Sequence, residues 1–156
     1  MSLKLCTLAY LRDGDKTLML SRGGDPGHLH AGRYNGLGGK FEAGESPEEC
    51  LSREVYEESG LTVEQAELKG FLSFPSFDGT DDWYTFVYLV TRFSGQPRPS
   101  AEGDLHWIPT AQLGSLPLWP GDHLFLPWLD QPGFFSGTFR YQDQQLIGHE
   151  VTFYRP

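Results

Sequence analysis

Residues 39–61 read GKFEAGESPEECLSREVYEESGL, and this stretch decides how the chain is read. Ser46-Pro47-Glu48-Glu49 is a helix start: serine suits the cap, proline suits the first helical position, and Glu49 follows the cap by three residues, as a capping box requires. The spacing predicts a helix to about Ser59, stopped by a left-handed Gly60 with Leu61 packing back. Leu51 and Val55 form the flank that meets a sheet. Glu54, Glu57 and Glu58 fall at i, i+3 and i+4 and so share one helix face. Like charges at that spacing weaken a free helix by about 0.2–0.5 kcal/mol per pair. A hard divalent cation reverses that sign, because Mg2+ takes oxygen ligands. Arg53 stands beside the cluster, placed to orient a carboxylate through a bidentate contact. An isolated acidic helix face is ordinarily only solvated. Here Gly38-Gly39-Lys40 and Gly44-Glu45 precede it, a loop whose backbone can approach a phosphate or a metal closely.

Outward from this helix the chain alternates between strands and turns. Leu3 to Leu11 reads as a strand with Leu3, Leu5, Thr7, Ala9 and Leu11 on one face. Asp13-Gly14-Asp15 turns it into a second strand, Thr17 to Ser21. Arg22 to Gly32 carries four glycines, a proline and two histidines and reads as a loop, followed by a short Gly-rich strand around Asn35 to Phe41. His28 and His30 have no acidic or thiol partner beside them and read as surface residues. Beyond the helix, Leu68 to Phe74 and Trp83 to Val90 read as paired strands, and Leu105 to Ile108 as a short one. A second helix is expected over Trp119 to Leu129, its regularity limited by Pro127. Phe134 to Tyr141 and Leu146 to Tyr154 close the chain as a hairpin. With no repeat and no internal boundary, residues 1–156 are expected to form one α+β domain.

Composition narrows the function classes. At 38% hydrophobic and 14% aromatic, the 156 residues are neither disordered nor membrane-embedded in pattern. No apolar run approaches bilayer length, and the first residues lack the pattern of a signal peptide. Cys6 and Cys50 give neither a disulfide framework nor metal-ligand spacing, and Cys50 reads as a small packed residue. A cytoplasmic protein with reduced thiols is the expectation. The net charge of −9 argues against a nucleic-acid polymer as partner, since binding a phosphate backbone relies on Lys and Arg. A small phosphorylated ligand remains compatible, provided a metal supplies the positive charge.

The central stretch resembles the signature of the Nudix family at every defining position: Gly39, five residues, Glu45, seven residues, Arg53-Glu54, Val55, one residue, Glu57-Glu58, one residue, Gly60, Leu61. From average residue frequencies, a chance match is on the order of one in ten million. The resemblance implies the Nudix fold, a mixed β-sheet between helices with a loop–helix–loop metal motif. It implies hydrolysis of a nucleoside diphosphate derivative with Mg2+, for which Mn2+ substitutes. Glu54, Glu57, Glu58 and the Gly38 carbonyl would be the metal ligands. Such proteins usually add one carboxylate from outside the signature, and Glu102 is the candidate ligand or water-activating base, ahead of Asp104; the same Glu102 also reads as an ordinary loop acid.

Over nearly its full length the chain also looks like the branch of oxidised-purine nucleoside triphosphatases that remove 8-oxo-dGTP from the nucleotide pool, a DNA-repair function. The carrying stretches are Ala31 to Lys40, Trp119-Pro120-Gly121-Asp122 and Phe134 to Phe139. By that likeness Asn35 and Asp122 would hydrogen-bond the purine edge, Trp119 would stack on the base, and Lys40 would meet the substrate. An amide, a carboxylate and an indole suit such a ligand chemically. Trp119 is equally readable as core, and Asn35 as a turn residue. Phe74, Phe77 and Trp83 are further candidates to line the base pocket. Enzymes of the animal type carry two consecutive acids after Trp-Pro where this chain has Gly121 and then Asp122, which argues against breadth toward oxidised adenine. Alternative substrates are ADP-ribose, a dinucleoside polyphosphate, an ordinary or pyrimidine triphosphate, or a triphosphorylated RNA end, the last disfavoured by the net acidity. A non-catalytic nucleotide sensor usually loses signature acids that are all present here. Either a monomer or a homodimer is compatible.

Overall fold

The computed structural model describes residues 2–22, 32–98 and 100–156; His28 and His30 lie outside them. β1 (Leu3–Asp13) turns at Gly14 into β2 (Lys16–Ser21), and β3 (Tyr34–Asn35) pairs with β2. Helix α1 (Pro47–Ser59) follows, then β4 (Thr62–Phe74), β5 (Asp82–Ser94) and β6 (Asp104–Pro109). A 3-10 helix (Thr110–Ser115), helix α2 (Pro120–Phe125), a second 3-10 helix (Leu126–Asp130), β7 (Phe134–Gln142) and β8 (Gln145–Tyr154) complete the described elements. The strands form one mixed sheet in the order β3-β2-β1-β5-β4-β7-β8, with β6 added on β2. β1 runs parallel to β5 and β4 parallel to β7, while the remaining pairs are antiparallel.

Side-chain alternation along β1 builds two cores. Ala9 and Leu11 face Leu51, Val55 and Leu61 under α1, whereas Tyr10 faces Phe125, Leu129 and Phe139 under α2 and the second 3-10 helix. The expected α+β sandwich of a mixed sheet between helices is therefore present. Leu3 and Leu5, expected on the same strand face as Ala9 and Leu11, stay exposed.

Four elements depart from the sequence reading. The Gly-rich strand expected over Asn35 to Phe41 is a strand only at Tyr34–Asn35; the rest is stitched to β1 by isolated bridges, Ala9 to Leu37 and Cys6 to Lys40. Gly38 is the cause. Its φ of +148° is a glycine conformation, and a Cβ there would lie 2.0 Å from the Thr7 carbonyl oxygen. The helix expected over Trp119 to Leu129 splits after Phe125, because Pro127 has no N–H to continue it and the next turn tightens to 3-10. β4 and β5 are longer than expected, starting at Thr62 and ending at Ser94.

Candidate active site

Helix α1 begins as its sequence dictates. Ser46 accepts from the Glu49 amide at 3.1 Å, and the Glu49 carboxylate accepts from the Ser46 amide at 2.9 Å. Gly60 closes the helix in left-handed backbone at φ 78°. The preceding loop is fastened to β1, with the Thr7 amide donating to the Gly39 carbonyl and the Phe41 amide to the Leu5 carbonyl, both at 2.9 Å. Loop and helix face are thereby locked together. A Cβ at Gly39 would sit 2.6 Å from the Glu54 carboxyl carbon, so only glycine lets that carboxylate reach the loop.

Arg53 is the hub of the acids. Its Nε and Nη2 grip the two oxygens of Glu45 at 2.6 and 2.9 Å, and its Nη1 donates to Glu54 at 2.7 Å and Glu57 at 3.2 Å. A further bond from Nη2 to the Lys40 carbonyl at 3.0 Å ties the loop to the same guanidinium. The bidentate contact foreseen for Arg53 falls on Glu45, whose role the sequence reading left open. That contact holds the Glu45 carboxyl down at about 2. Glu58 is only 2% exposed and accepts from the Gly38 amide at 2.7 Å. Burial pushes its carboxyl up to about 8, although the Gly38 bond opposes this. Burial also raises the Glu54 carboxyl, against the pull of Arg53.

Arg22, which no sequence signal singled out, joins the distant acid to this group. Its Nη1 donates to Glu102 at 3.1 Å, and its Nη2 lies 3.5 Å from Glu58. Glu102 thus stands beside the helix acids, while Asp104 opens β6 opposite Ser21 and is absent from the lining of the cavity described next. The donors around Glu54, Glu57, Glu58 and Glu102 are all oxygen, the chemistry a hard divalent cation takes. Raised carboxyls in their midst mark a cluster short of positive charge. As they stand, no three acidic, histidine or cysteine side chains among the described residues converge to hold an ion. Glu54 and Glu57 are engaged by Arg53, and Glu58 by the Gly38 amide, so taking up a cation means exchanging those partners. With that exchange the donor set fits.

The acid loop opens into a cavity of about 430 Å³. Gly38, Gly39, Lys40, Arg22 and Glu102 line one end, and Asn35, Trp119, Asp122 and Tyr141 line the other. Phe74, Phe77 and Trp83 also line it, and Lys40 Nζ stands 5.3 Å over the Trp83 ring. Asn35 Nδ2 is buried without a hydrogen-bond partner. Asp122 lies in the first turn of α2; burial pushes its carboxyl up to about 7, although Arg33 opposes this. Trp119 is 4% exposed, packed against Phe77 with centroids 4.9 Å apart and covered by the Arg33 guanidinium at 3.8 Å from its centroid. Trp119 is therefore both pocket wall and core, and Arg33 was missed.

The NUDIX domain model matches residues 3–129. The chain belongs to the Nudix family. It is a hydrolase, and its relatives are named for triphosphate hydrolysis. It is 36% identical over 117 residues to the oxidized purine nucleoside triphosphate hydrolase of Mus musculus, a match covering 75% of each chain. It is 32% identical over 146 residues to the protein of that name from Danio rerio, covering 92% of this chain and 90% of that one. Among solved structures, the mutator MutT protein from Bacillus halodurans superposes with a TM-score of 0.85 at 32% identity, covering 95% of this chain and 97% of that one. Nudix hydrolases generally use divalent metal cations. No helix among the described residues is long and apolar enough to cross a membrane.

Proposed function

We propose that this protein hydrolyses 8-oxo-dGTP, with Mg2+, to the nucleoside monophosphate and pyrophosphate, clearing the nucleotide pool in the cytoplasm. The observation that carries this reading is one cavity lined by the Gly38-Gly39-Lys40 loop and Glu102 together with aromatic rings, a buried amide and a buried carboxyl. A nucleoside triphosphate has the matching polarity, anionic at one end and a flat heterocycle at the other. The relatives named oxidized purine nucleoside triphosphate hydrolase support the choice of substrate. β7 and β8, outside residues 3–129, complete the sheet, which supports a single catalytic domain over 1–156.

In this reading Glu54, Glu57, Glu58, Glu102 and the Gly38 carbonyl hold the metal. A Mg2+ ion held by these residues would supply charge neutralisation for the phosphates and Lewis-acid activation of water. Arg53 orients Glu54 and Glu57, while Lys40 and Arg22 face the phosphate chain. Glu102 or one of the helix glutamates takes the water's proton. Asn35 and Asp122 meet the purine edge, and Trp119 walls the base site. A panel of 8-oxo-dGTP, dGTP, dATP, dCTP and ADP-ribose with Mg2+ tests the assignment. The expected result is a kcat/KM for 8-oxo-dGTP at least about tenfold above dGTP, about 1.4 kcal/mol in transition-state binding. A flat or pyrimidine-favouring profile would overturn the substrate and keep the hydrolase.

A further inference from the structure

Gly121 stands where a side chain has no room. A Cβ there would lie 2.7 Å from the Tyr141 hydroxyl and 2.9 Å from the Phe139 ring. The Tyr141 oxygen instead accepts from the Gly121 amide at 2.7 Å, a bond between residues twenty apart that pins the first turn of α2 to β7. A register shift between Arg140 and Tyr141 marks a bulge at this point of the strand. Bulges of that kind re-aim side chains. The phenol lines the cavity with Asp122 and Asn35, and its ring meets Trp119 edge-on at 5.4 Å and Phe77 at 5.4 Å.

Hydrogen-bond accounting at this end of the cavity leaves donors over. The Tyr141 oxygen has one lone pair in use, and its proton has no acceptor among the described residues. Burial raises the phenol well above its ordinary range, so the proton stays on at neutral pH. Asn35 Nδ2 is likewise a buried donor without a partner. Unspent buried donors cost stability unless a ligand accepts from them.

We propose that Tyr141 is a specificity-determining residue whose hydroxyl donates to a carbonyl oxygen on the purine. This rests on the reading of the cavity as a nucleoside triphosphate site and deepens it. Where two successive acids after Trp-Pro would offer two carboxyls, this chain keeps Asp122 and fills the space of the other with a phenol. The site thereby gains a fixed neutral donor, and it selects bases that carry an oxo group.

The test is Tyr141→Phe, which keeps the ring against Trp119 and Phe77 and removes one oxygen. kcat and KM are measured for 8-oxo-dGTP, dGTP, dATP and inorganic tripolyphosphate, with the melting temperature alongside. A neutral hydrogen bond is worth about five- to tenfold in affinity. KM for 8-oxo-dGTP is expected to rise by about that factor with kcat within about twofold, while dATP and tripolyphosphate are unmoved. A rise shared by dGTP locates the carbonyl at C6, and one confined to 8-oxo-dGTP locates it at C8. Equal changes on all four probes, with a lower melting temperature, would show that the hydroxyl only anchors Gly121 and would overturn the proposal. Failure of the underlying reading is separate: a wild-type protein that handles tripolyphosphate as well as any nucleotide reads no base.

Discussion

Arg53 holds Glu45 by both carboxylate oxygens, at 2.6 and 2.9 Å, across the turn that leads into α1. The same guanidinium reaches Glu54 and Glu57 from its remaining nitrogen. Glu45 therefore acts through Arg53: it fixes the plane of the guanidinium, which in turn sets where two acids point. Glu45→Gln should leave the fold intact and lower kcat by about tenfold or more, the usual cost of loosening a residue that orients ligands. Arg53→Lys cannot make the paired contact and should lose at least as much. Unchanged kcat in both variants, measured at saturating Mg2+, would remove the orienting role.

The helix acids separate stability from function. Glu58 is buried at 2% exposure, and its nearest cation, Arg22, lies 3.5 Å away and is shared with Glu102. Glu58→Gln keeps an acceptor for the Gly38 amide and puts a neutral amide in place of a carboxyl whose ionisation burial opposes. The metal-free variant should gain on wild type in melting temperature as pH rises from about 4.5 to 8, yet lose most of the melting increment that Mg2+ adds to wild type. Glu57→Gln, at an exposed position, should cut kcat by about a hundredfold or more with little change in metal-free melting. Titrating Mg2+ while following melting temperature reads both. A full Mg2+ increment in Glu58→Gln would take Glu58 out of the ligand set.

Trp119 needs a gentler probe than alanine. At 4% exposure, its truncation would cost about 3–5 kcal/mol of stability and obscure any effect on binding. Trp119→Phe preserves much of the contact with Phe77 and should raise KM for the purine substrate by about tenfold with kcat kept. Arg33 covers the indole at 3.8 Å and also donates to Gln144 at 3.2 Å, so a base reaches that ring face only if Arg33 moves. Arg33→Gln removes a cation–π contact worth about 1 kcal/mol and should lower KM several-fold. A higher KM instead would mean that Arg33 touches the substrate itself.

Legibility followed the range of the interactions. The capping box, the Gly60 stop and the shared face of Glu54, Glu57 and Glu58 are set within four residues of chain, and each was readable directly. Tyr141 and Gly121 are coupled by packing across two elements, and nothing local marks Tyr141 as part of the cavity. Arg22 is one basic residue at the edge of a Gly-rich loop, and only the fold brings it to Glu58 and Glu102. The parallel pairing of β4 with β7 is equally non-local, so the last strands read only as a hairpin. At Gly38 the glycine was read as permissive, but permissiveness did not reveal that the chain there abandons strand geometry for close approach to Thr7.

Asp122 supplies a pH dependence whose sign is fixed. Its carboxyl sits at about 7 in the folded protein against an ordinary 3.8, chiefly because of burial, with Arg33 partly compensating. Tyr10 and Tyr141 are the other titratable groups that feel its charge, and burial holds both phenols protonated throughout this range. Between about pH 4 and pH 7 the folded state therefore keeps a proton that the unfolded chain releases. Stability contributed by this group is present below that window and falls as pH rises through it. The loss should be about 1–2 kcal/mol, less than the full shift implies, because the carboxyl opens onto the cavity. Asp122→Asn cannot titrate, so its melting temperature should gain on wild type as pH rises from 4 to 7 and hold that gain above. Base recognition should follow the same proton: below the transition the carboxyl donates, above it only accepts, so KM for 8-oxo-dGTP should vary near pH 7 in wild type and not in the variant. Parallel pH profiles of KM in the two proteins would remove Asp122 from the base edge.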